Sequence, residues 1–178
     1  MSLQINLPFT VVFQKNWEAL ASRNTDGSRK YKYIINKGSS RSSKTYSLID
    51  LFDIYARQNS NERLTVWRET KTLCKKTVLS DMIKHHRKTG RYKLGYEFNK
   101  TDSIFHYEHN NGGQTTVEIH GTDDEEIVHG FTQNIAWINE PYKISKETFD
   151  QIDMRSDVVF LDYNPKKDFF VNDLLDRE

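Results

Sequence analysis

The chain has 178 residues, of which 36% are hydrophobic and 29% are charged, a balance that indicates a folded, polar globular protein and excludes a disordered one. Its formal net charge of +1 identifies no partner by itself. One cysteine, Cys74, excludes an intrachain disulfide, and no apolar run is long enough to span a bilayer, so we expect a cytoplasmic protein.

The first part of the chain, residues 1–30, is expected to precede the core. It carries Phe13 and Trp17 in a segment that could form a short helix, and a polar turn follows at residues 24–28. Residues 31–178 are expected to form a single domain, since this length is sufficient to bury a core.

A strand-to-helix turn is predicted directly after the short apolar run Tyr31–Asn36, because apolar residues recur at helical spacing after Lys44. At such a turn, backbone N–H groups and a helix N-terminus can converge on an anion. Gly38–Thr45 (GSSRSSKT) matches the phosphate-binding (Walker A) pattern G-x-x-x-x-G-K-[ST], except that Ser43 replaces the second glycine. Lys44 would then reach the β- and γ-phosphates of a nucleotide, and the hydroxyl of Thr45 would bind Mg²⁺.

Two interpretations of this loop remain open: a phosphate-binding loop, or an ordinary serine-rich connection between a strand and a helix. A side chain at Ser43 crowds a backbone that must approach the phosphates closely, although serine is the mildest such replacement. If the loop binds a nucleotide, Phe13 or Trp17 could stack on the base. Packing against the core would also explain both rings.

A second strand, Leu64–Trp67, and a long helix, Thr70–Lys88, are predicted to follow. Residues 63–93 hold ten Lys or Arg against two acids, whereas residues 121–178 hold fourteen acids against six bases. The basic region could attract a polyanion, or it could be an ordinary solvated surface.

Alternating residues between Tyr92 and His120 predict short antiparallel strands, with a hairpin turn at Asn110–Gly113. The last of these strands, Val117–Ile119, could enter the main sheet. The acidic run Asp123–Glu126 is expected to lie in a polar loop.

The apolar strand predicted at Asn134–Glu140 ends in polar side chains. The carboxyl ends of parallel strands form the edge where ligands bind in open α/β sheets. Glu140 could orient a water molecule for attack on a γ-phosphate. Asn139 stands where an aspartate supporting Mg²⁺ would be expected, and a neutral amide holds a cation less strongly. The alternative is an ordinary core strand with a polar end.

A helix at Ser145–Asp153 and a buried strand at Val158–Leu161 complete the predicted core. Asn164 follows that strand, where a small polar group could sense whether the γ-phosphate is present, although Asn-Pro alone signals a turn. These elements together predict an α/β fold with a mainly parallel sheet flanked by helices and a small antiparallel addition.

The phosphate loop, Trp137–Glu140 and Leu161–Pro165 resemble, in order and spacing, the ATPase domain of phage large terminase subunits, the motors that package double-stranded DNA into procapsids. Arg68, Arg155 and the segment 121–130 extend the resemblance, which covers residues 31–165. It implies a P-loop NTPase fold of the RecA-like (ASCE) class.

The resemblance also implies roles for individual residues. The implied catalytic residues are Glu140, Arg41 and Lys44, with the Arg41 guanidinium near the γ-phosphate. Thr45 and Asn139 would support Mg²⁺, and Asn164 would couple hydrolysis to DNA movement. The residues implied to bind ATP are Gly38, Ser39, Ser40, Arg41, Ser42, Ser43, Lys44 and Thr45.

The implied partners are double-stranded DNA, the small terminase subunit, the portal and other copies of the chain in a ring, with a monomer possible for an isolated fragment. Large terminases also carry a C-terminal nuclease domain, so we expect a chain truncated before that domain, without nuclease activity. Two alternatives stay open: a helicase-like or other nucleic-acid-stimulated ATPase, and a nucleotide-binding assembly module with weak or no hydrolysis. Asn139 and Ser43 favour the second alternative.

Overall fold

The computed structural model describes residues 9–39, 42–130, 132–165 and 169–175. Its centre is a seven-stranded sheet with helices on both faces. The strands are β1 (Tyr33–Lys37), β2 (Arg63–Arg68), β3 (Glu97–Asn99), β4 (Ile104–Glu108), β5 (Gln114–Gly121), β6 (Gln133–Asn139) and β7 (Ser156–Tyr163). The helices are α1 (Val11–Ala21), α2 (Lys44–Gln58), α3 (Lys71–Cys74), α4 (Ser80–Thr89), α5 (Glu125–Gly130), α6 (Lys146–Met154) and α7 (Val171–Leu175).

The strands lie in the order β1-β7-β6-β2-β5-β4-β3. The neighbouring strands β1, β7, β6, β2 and β5 all pair parallel, whereas β4 pairs antiparallel with both β5 and β3. This confirms the predicted parallel sheet with an antiparallel addition, and the Val117–Ile119 segment does enter the main sheet as part of β5. Among the described residues, no helix has the length and apolar character needed to cross a bilayer.

The middle residues of β6 and β7 are apolar and buried, since each of these strands is covered on both faces. Side chains alternate along a strand, so neighbouring residues of β6 enter different halves of the core. Trp137 lies with Phe52 of α2 and Phe160 of β7, with ring centroids 5.5 and 6.1 Å from Phe52. Ile138 instead packs on the opposite face, in the cluster that contains Phe149 of α6. Trp137 and, two residues later, Asn139 therefore lie on the face of the sheet that α2 covers.

Helix α1 packs beside α2 and contributes to the core. Phe13 is buried, and the half-buried Trp17 packs against the same cluster. The Thr10 hydroxyl caps α1 by accepting from the Phe13 N–H at 3.0 Å and lies 2.6 Å from the Ser47 hydroxyl in α2. Core packing thus accounts for both aromatic rings.

The predicted long helix is divided in the structure. A π-helical segment at Lys75–Leu79 separates α3 from α4. Within it, the Thr77 hydroxyl donates to the Leu73 carbonyl at 2.7 Å and accepts from Nη1 of Arg68 at 2.6 Å. The change in helical pitch thus occurs where a side chain at the end of β2 contacts the helix.

The acidic loop prediction is wrong in part, because α5 begins within it at Glu125. The Asp124 carboxylate accepts from the Ile127 N–H at 3.2 Å, and acidic side chains in a first helical turn complement the helix dipole. Residues predicted to form a solvated loop therefore start a short helix.

A buried polar network joins α2, α4 and β4. Asp53 accepts hydrogen bonds from Arg57, at 2.9 to 3.1 Å, and from the Tyr107 hydroxyl at 3.0 Å. Nη1 of Arg91 lies 3.6 Å from the Asp53 carboxylate, and Nε2 of His86 lies 3.9 Å from it. The two arginines offset the cost of burying this carboxylate.

His86 makes stability depend on pH. Burial lowers its pKa from 6.5 to about 4, so between these values the unfolded chain binds a proton that the folded chain rejects. The free energy of unfolding is therefore expected to decrease as the pH falls from 6.5 to 4, with about 3 kcal/mol of that decrease due to His86. Urea unfolding at a series of pH values measures the slope.

His86→Gln should flatten this dependence, whereas His129→Gln, at an exposed histidine, should leave it unchanged. An equal pH slope in the wild-type protein and His86→Gln would contradict a neutral buried His86.

Candidate phosphate-binding site

The predicted site residues meet at one edge of the sheet. Strands β1, β7 and β6 are parallel neighbours, so the residues that follow them lie side by side. A cleft of about 210 Å³ opens at this edge. It is lined by Ser42, Ser43, Lys44, Thr45, Tyr46, Asp81, Glu140, Asp162 and Asn164.

Lys44 is the first residue of α2, and its side chain, which is 8% exposed, contacts the preceding loop. Its ammonium group donates to the carbonyl oxygens of Gly38 at 2.8 Å and Ser39 at 2.9 Å, and to the Ser42 hydroxyl at 2.9 Å. A fourth oxygen, Oδ1 of Asn164, lies 3.2 Å away. The two carbonyl contacts hold the ammonium at the helix N-terminus, while the two side-chain oxygens lie on the cleft lining.

Asn164 connects the loop lysine to Glu140. Its Oδ1 accepts from Lys44, and its Nδ2 donates to Oε1 of Glu140 at 3.4 Å. Lys44 follows β1, Glu140 follows β6 and Asn164 follows β7. The order of these strands in the sheet brings the three residues together. A change at either end of this chain of contacts would therefore alter the hydrogen bonding of Asn164.

Glu140 directly follows β6 and has a left-handed conformation, with φ of 55° and ψ of 57°. This conformation is unfavourable for a residue with a side chain, and such strain concentrates at functional sites. The Glu140 N–H donates to the Asp162 carbonyl at 2.9 Å, which anchors the turn to β7. Burial, followed by the nearby Glu140 carboxylate, raises the pKa of Tyr142.

Ser43 has a φ of 63° at the position where the phosphate-binding pattern has its second glycine. Only glycine adopts this left-handed region without steric cost. The departure noted in the sequence therefore introduces strain directly before α2, in addition to the crowding of the loop.

Replacing Ser43 with glycine is expected to stabilise the protein by about 0.5–1 kcal/mol, because removal of the left-handed penalty exceeds the added entropy of the unfolded chain. Urea unfolding measures the change. Ser43→Ala is the matched control and should give no gain, since alanine keeps the penalty. A destabilised Ser43→Gly variant would show that φ strain is not the dominant effect at this position.

Asp162 also lines the cleft, although it was not among the site residues predicted from the sequence. This carboxylate is 2% exposed and is the register partner of Asn139. Its Oδ1 accepts from Nε1 of Trp137 at 2.6 Å and Nδ2 of Asn139 at 2.9 Å, and the Thr45 hydroxyl donates to its Oδ2 at 3.4 Å. Burial raises the pKa of Asp162, and the hydrogen bonds from Trp137 and Asn139 act in the opposite direction. The signal available in the sequence was an acid directly following a buried apolar run.

Of the remaining predicted site residues, two belong to the described part of the structure and two do not. Gly38 and Ser39 lie at the end of β1, where the Gly38 N–H donates to the Tyr163 carbonyl at 3.2 Å. Ser40 and Arg41 lie outside the described residues, so their predicted contacts with a nucleotide stay predictions.

The donors and acceptors around the cleft fit a phosphate chain with a divalent cation. An ammonium group and a helix N-terminus attract the phosphate oxygens. Oxygen atoms from the Thr45 hydroxyl and the Asp162 carboxylate are the ligand type that Mg²⁺ prefers. Glu140 and Asn164 line the same cleft, and Asn164 contacts both the Lys44 ammonium and the Glu140 carboxylate.

No protein-family model matches this sequence, and no curated protein matches it. Solved structures do match. The large terminase of a thermophilic bacteriophage is similar over 89% of this chain and 40% of its own, with 17% identity and a TM-score of 0.69. Structures of the same thermophilic phage protein in complex with ADP and with ATP-gamma-S also match, with TM-scores of 0.63 and 0.60.

Two further phage proteins have the same architecture. The Thermus phage P74-26 large terminase ATPase domain matches over 94% of this chain and 74% of its own, with 10% identity and a TM-score of 0.61. The HK97 bacteriophage large terminase matches over 90% of this chain and 34% of its own, with 9% identity and a TM-score of 0.68. The present chain thus spans about 40% of the length of the thermophilic phage terminase. These likenesses confirm the predicted fold class: the chain has an α/β fold with a mainly parallel sheet, the same fold as the large terminase ATPase domain.

Proposed function

We propose that this chain is the ATP-hydrolysing domain of a phage large terminase, in which hydrolysis drives double-stranded DNA into a procapsid. The observation that carries the proposal is the contact chain from Lys44 through Asn164 to Glu140 at the carboxyl edge of the sheet. A phosphate-binding lysine and a carboxylate able to orient water are two of the groups that catalyse phosphoryl transfer to water. The proposed ATPase unit is residues 31–178.

The thermophilic phage terminase structures with ADP and ATP-gamma-S support a nucleotide as the ligand of the cleft. The β- and γ-phosphates would replace Ser42 and Asn164 as partners of the Lys44 ammonium, while the Gly38 and Ser39 carbonyls keep it in position. The first backbone N–H groups of α2 would bind the same phosphates.

Glu140 would accept a hydrogen bond from the attacking water and hold it in line with the γ-phosphate. Because the transition state for phosphoryl transfer is loose, positioning and charge stabilisation supply most of the rate acceleration. A bound Mg²⁺ would neutralise charge on the β- and γ-phosphate oxygens, held from the protein side beside Thr45. Arg41, by its position in the loop, would add positive charge at the γ-phosphate.

Asn164 would couple the nucleotide state to the rest of the domain. Loss of the γ-phosphate would return the Lys44 ammonium to Asn164, which in turn contacts Glu140. A group that exchanges partners when one phosphate leaves can shift the element that carries it, here the segment after β7.

The proposed partners are double-stranded DNA, the small terminase subunit, the portal and other copies of this chain in a ring, working in the host cytoplasm at the procapsid. The basic surface of α4 is one candidate for contact with the DNA backbone, with Lys84, Arg87 and Lys88 exposed.

Phosphate release from Mg·ATP, measured with and without duplex DNA, tests the function. We expect ATP hydrolysis that increases when duplex DNA is added. ATP binding with no hydrolysis under either condition would support the alternative of a nucleotide-binding assembly module, and a protein that binds no ATP would contradict both functions.

A further inference from the structure

The site lacks a carboxylate where the sequence leads one to expect it. A divalent cation beside Thr45 requires oxygen ligands or nearby negative charge, and the residue before Glu140 is the amide Asn139. Asn139 is buried and donates its Nδ2 hydrogen to Asp162. The negative charge next to Thr45 therefore belongs to a different strand.

Asp162 lies at the same level of the sheet as Asn139 and on the same face. The two residues are register partners in β6 and β7, and Trp137 and Phe160, two positions earlier on each strand, both face α2. Asp162 consequently points toward the first turn of α2, where the Thr45 hydroxyl donates to its Oδ2 at 3.4 Å. Asp162 also lines the cleft together with Lys44.

The two oxygens of Asp162 have different surroundings. Oδ1 accepts two close hydrogen bonds, from Nε1 of Trp137 at 2.6 Å and Nδ2 of Asn139 at 2.9 Å. Oδ2 has the longer contact with the Thr45 hydroxyl. The pair of donors fixes the rotation of the carboxylate and directs Oδ2 to the edge where the nucleotide is proposed to bind, as outer partners orient a metal ligand.

Building on the proposed function, we infer that Asp162 of β7 is the carboxylate that supports the divalent cation of the bound nucleotide, in place of the β6 position held by Asn139. Asn139 and Trp137 are positioning residues for this carboxylate. The two acidic roles of the site are thus divided between strands: Glu140 on β6 orients water, and Asp162 on β7 supports the cation.

Cation binding, measured separately from hydrolysis, tests this inference. Mn²⁺ serves as the probe, and its binding to the protein–ADP complex is followed by electron paramagnetic resonance. Asp162→Asn keeps the shape of the side chain and both of its Oδ1 contacts. We expect it to weaken Mn²⁺ binding about 10- to 100-fold. ADP binding in EDTA should remain within about twofold of wild type, since the phosphate contacts of Lys44 are unchanged.

Asp157→Asn is the matched control, because it makes the same substitution at the exposed opposite end of β7. It should leave Mn²⁺ binding unchanged. Equal Mn²⁺ affinity for wild type and Asp162→Asn would overturn the inference while leaving nucleotide binding intact. If wild type binds no ADP in either the presence or the absence of Mn²⁺, the proposed function fails and this inference fails with it.

A measurement on the wild-type protein covers the case in which Asp162→Asn does not fold. The indole N–H of Trp137 donates to Asp162, whereas that of Trp67 donates to the Thr65 hydroxyl. In nuclear magnetic resonance spectra, adding Mg²⁺ to the protein–ADP complex should shift the Trp137 indole signal more than those of Trp67 and Trp17. A Trp137 signal unaffected by Mg²⁺ would contradict a cation held by Asp162.

Discussion

Replacing Lys44 with alanine should weaken ATP binding by at least about 100-fold, because the ammonium supplies two or more charge-assisted hydrogen bonds to phosphate oxygens. The ammonium is held by the Gly38 and Ser39 carbonyls. The described part of the loop contains no other cation that could replace it. Equilibrium titration with a fluorescent ATP analogue measures the loss.

Lys37→Ala is the matched control for Lys44→Ala, since Lys37 is an exposed lysine at the end of β1. Its affinity for ATP should stay within about twofold of wild type. Similar affinities in Lys44→Ala and wild type would remove Lys44 from the phosphate site, and equal losses in both variants would indicate a general effect of lost positive charge.

Glu140→Gln should separate binding from chemistry. Glutamine keeps the size of the side chain and can still contact Asn164, but it cannot accept a proton from water. We expect the rate of ATP turnover to fall about 10²- to 10⁴-fold. Affinity for ATP should change little, because the proposed role of Glu140 is to contact the attacking water and not the phosphates. Single-turnover phosphate release together with nucleotide titration measures both quantities.

Glu147→Gln, at an exposed position in the first turn of α6, provides the control for Glu140→Gln and should hydrolyse ATP at the wild-type rate. Turnover in Glu140→Gln at the wild-type rate would assign water activation to another residue. A parallel loss of affinity and turnover would instead give Glu140 a role in binding.

The sequence was sufficient to locate the strands but not to order them. Strands such as β6 and β7 are buried on both faces, so they are continuous apolar runs that local analysis finds. Nothing local indicates that β7 lies between β1 and β6, since that order depends on the crossover connections. The order matters for function, because it puts Asn164 between Lys44 and Glu140.

Asp162 was missed for the same reason. In the sequence, the metal-supporting group is expected immediately before Glu140, where the neutral Asn139 predicts weaker cation binding. The pairing of Asn139 with Asp162 is a tertiary contact between strands more than twenty residues apart, and no periodicity within either strand predicts it. Asp162 on β7 can supply the negative charge that β6 lacks at Asn139.

Ser43 and α5 show the two ways in which local analysis can be incomplete. The sequence predicts that the Ser43 side chain crowds the approach to the phosphates, which stays a prediction. The structure adds a separate cost, the φ of 63° at this position. For α5, polar composition suggested a loop, whereas the Asp124 cap and the helix dipole favour a helical turn at the same residues.

A crystal structure of the protein with Mg²⁺ and a non-hydrolysable ATP analogue would show whether the cleft between the phosphate loop and Glu140 binds the terminal phosphates of ATP. We expect a terminal phosphate in contact with the Lys44 ammonium, with the Glu140 carboxylate facing it across the cleft. An analogue bound elsewhere, with Lys44 still contacting Ser42 and Asn164, would show that this cleft is not the nucleotide site.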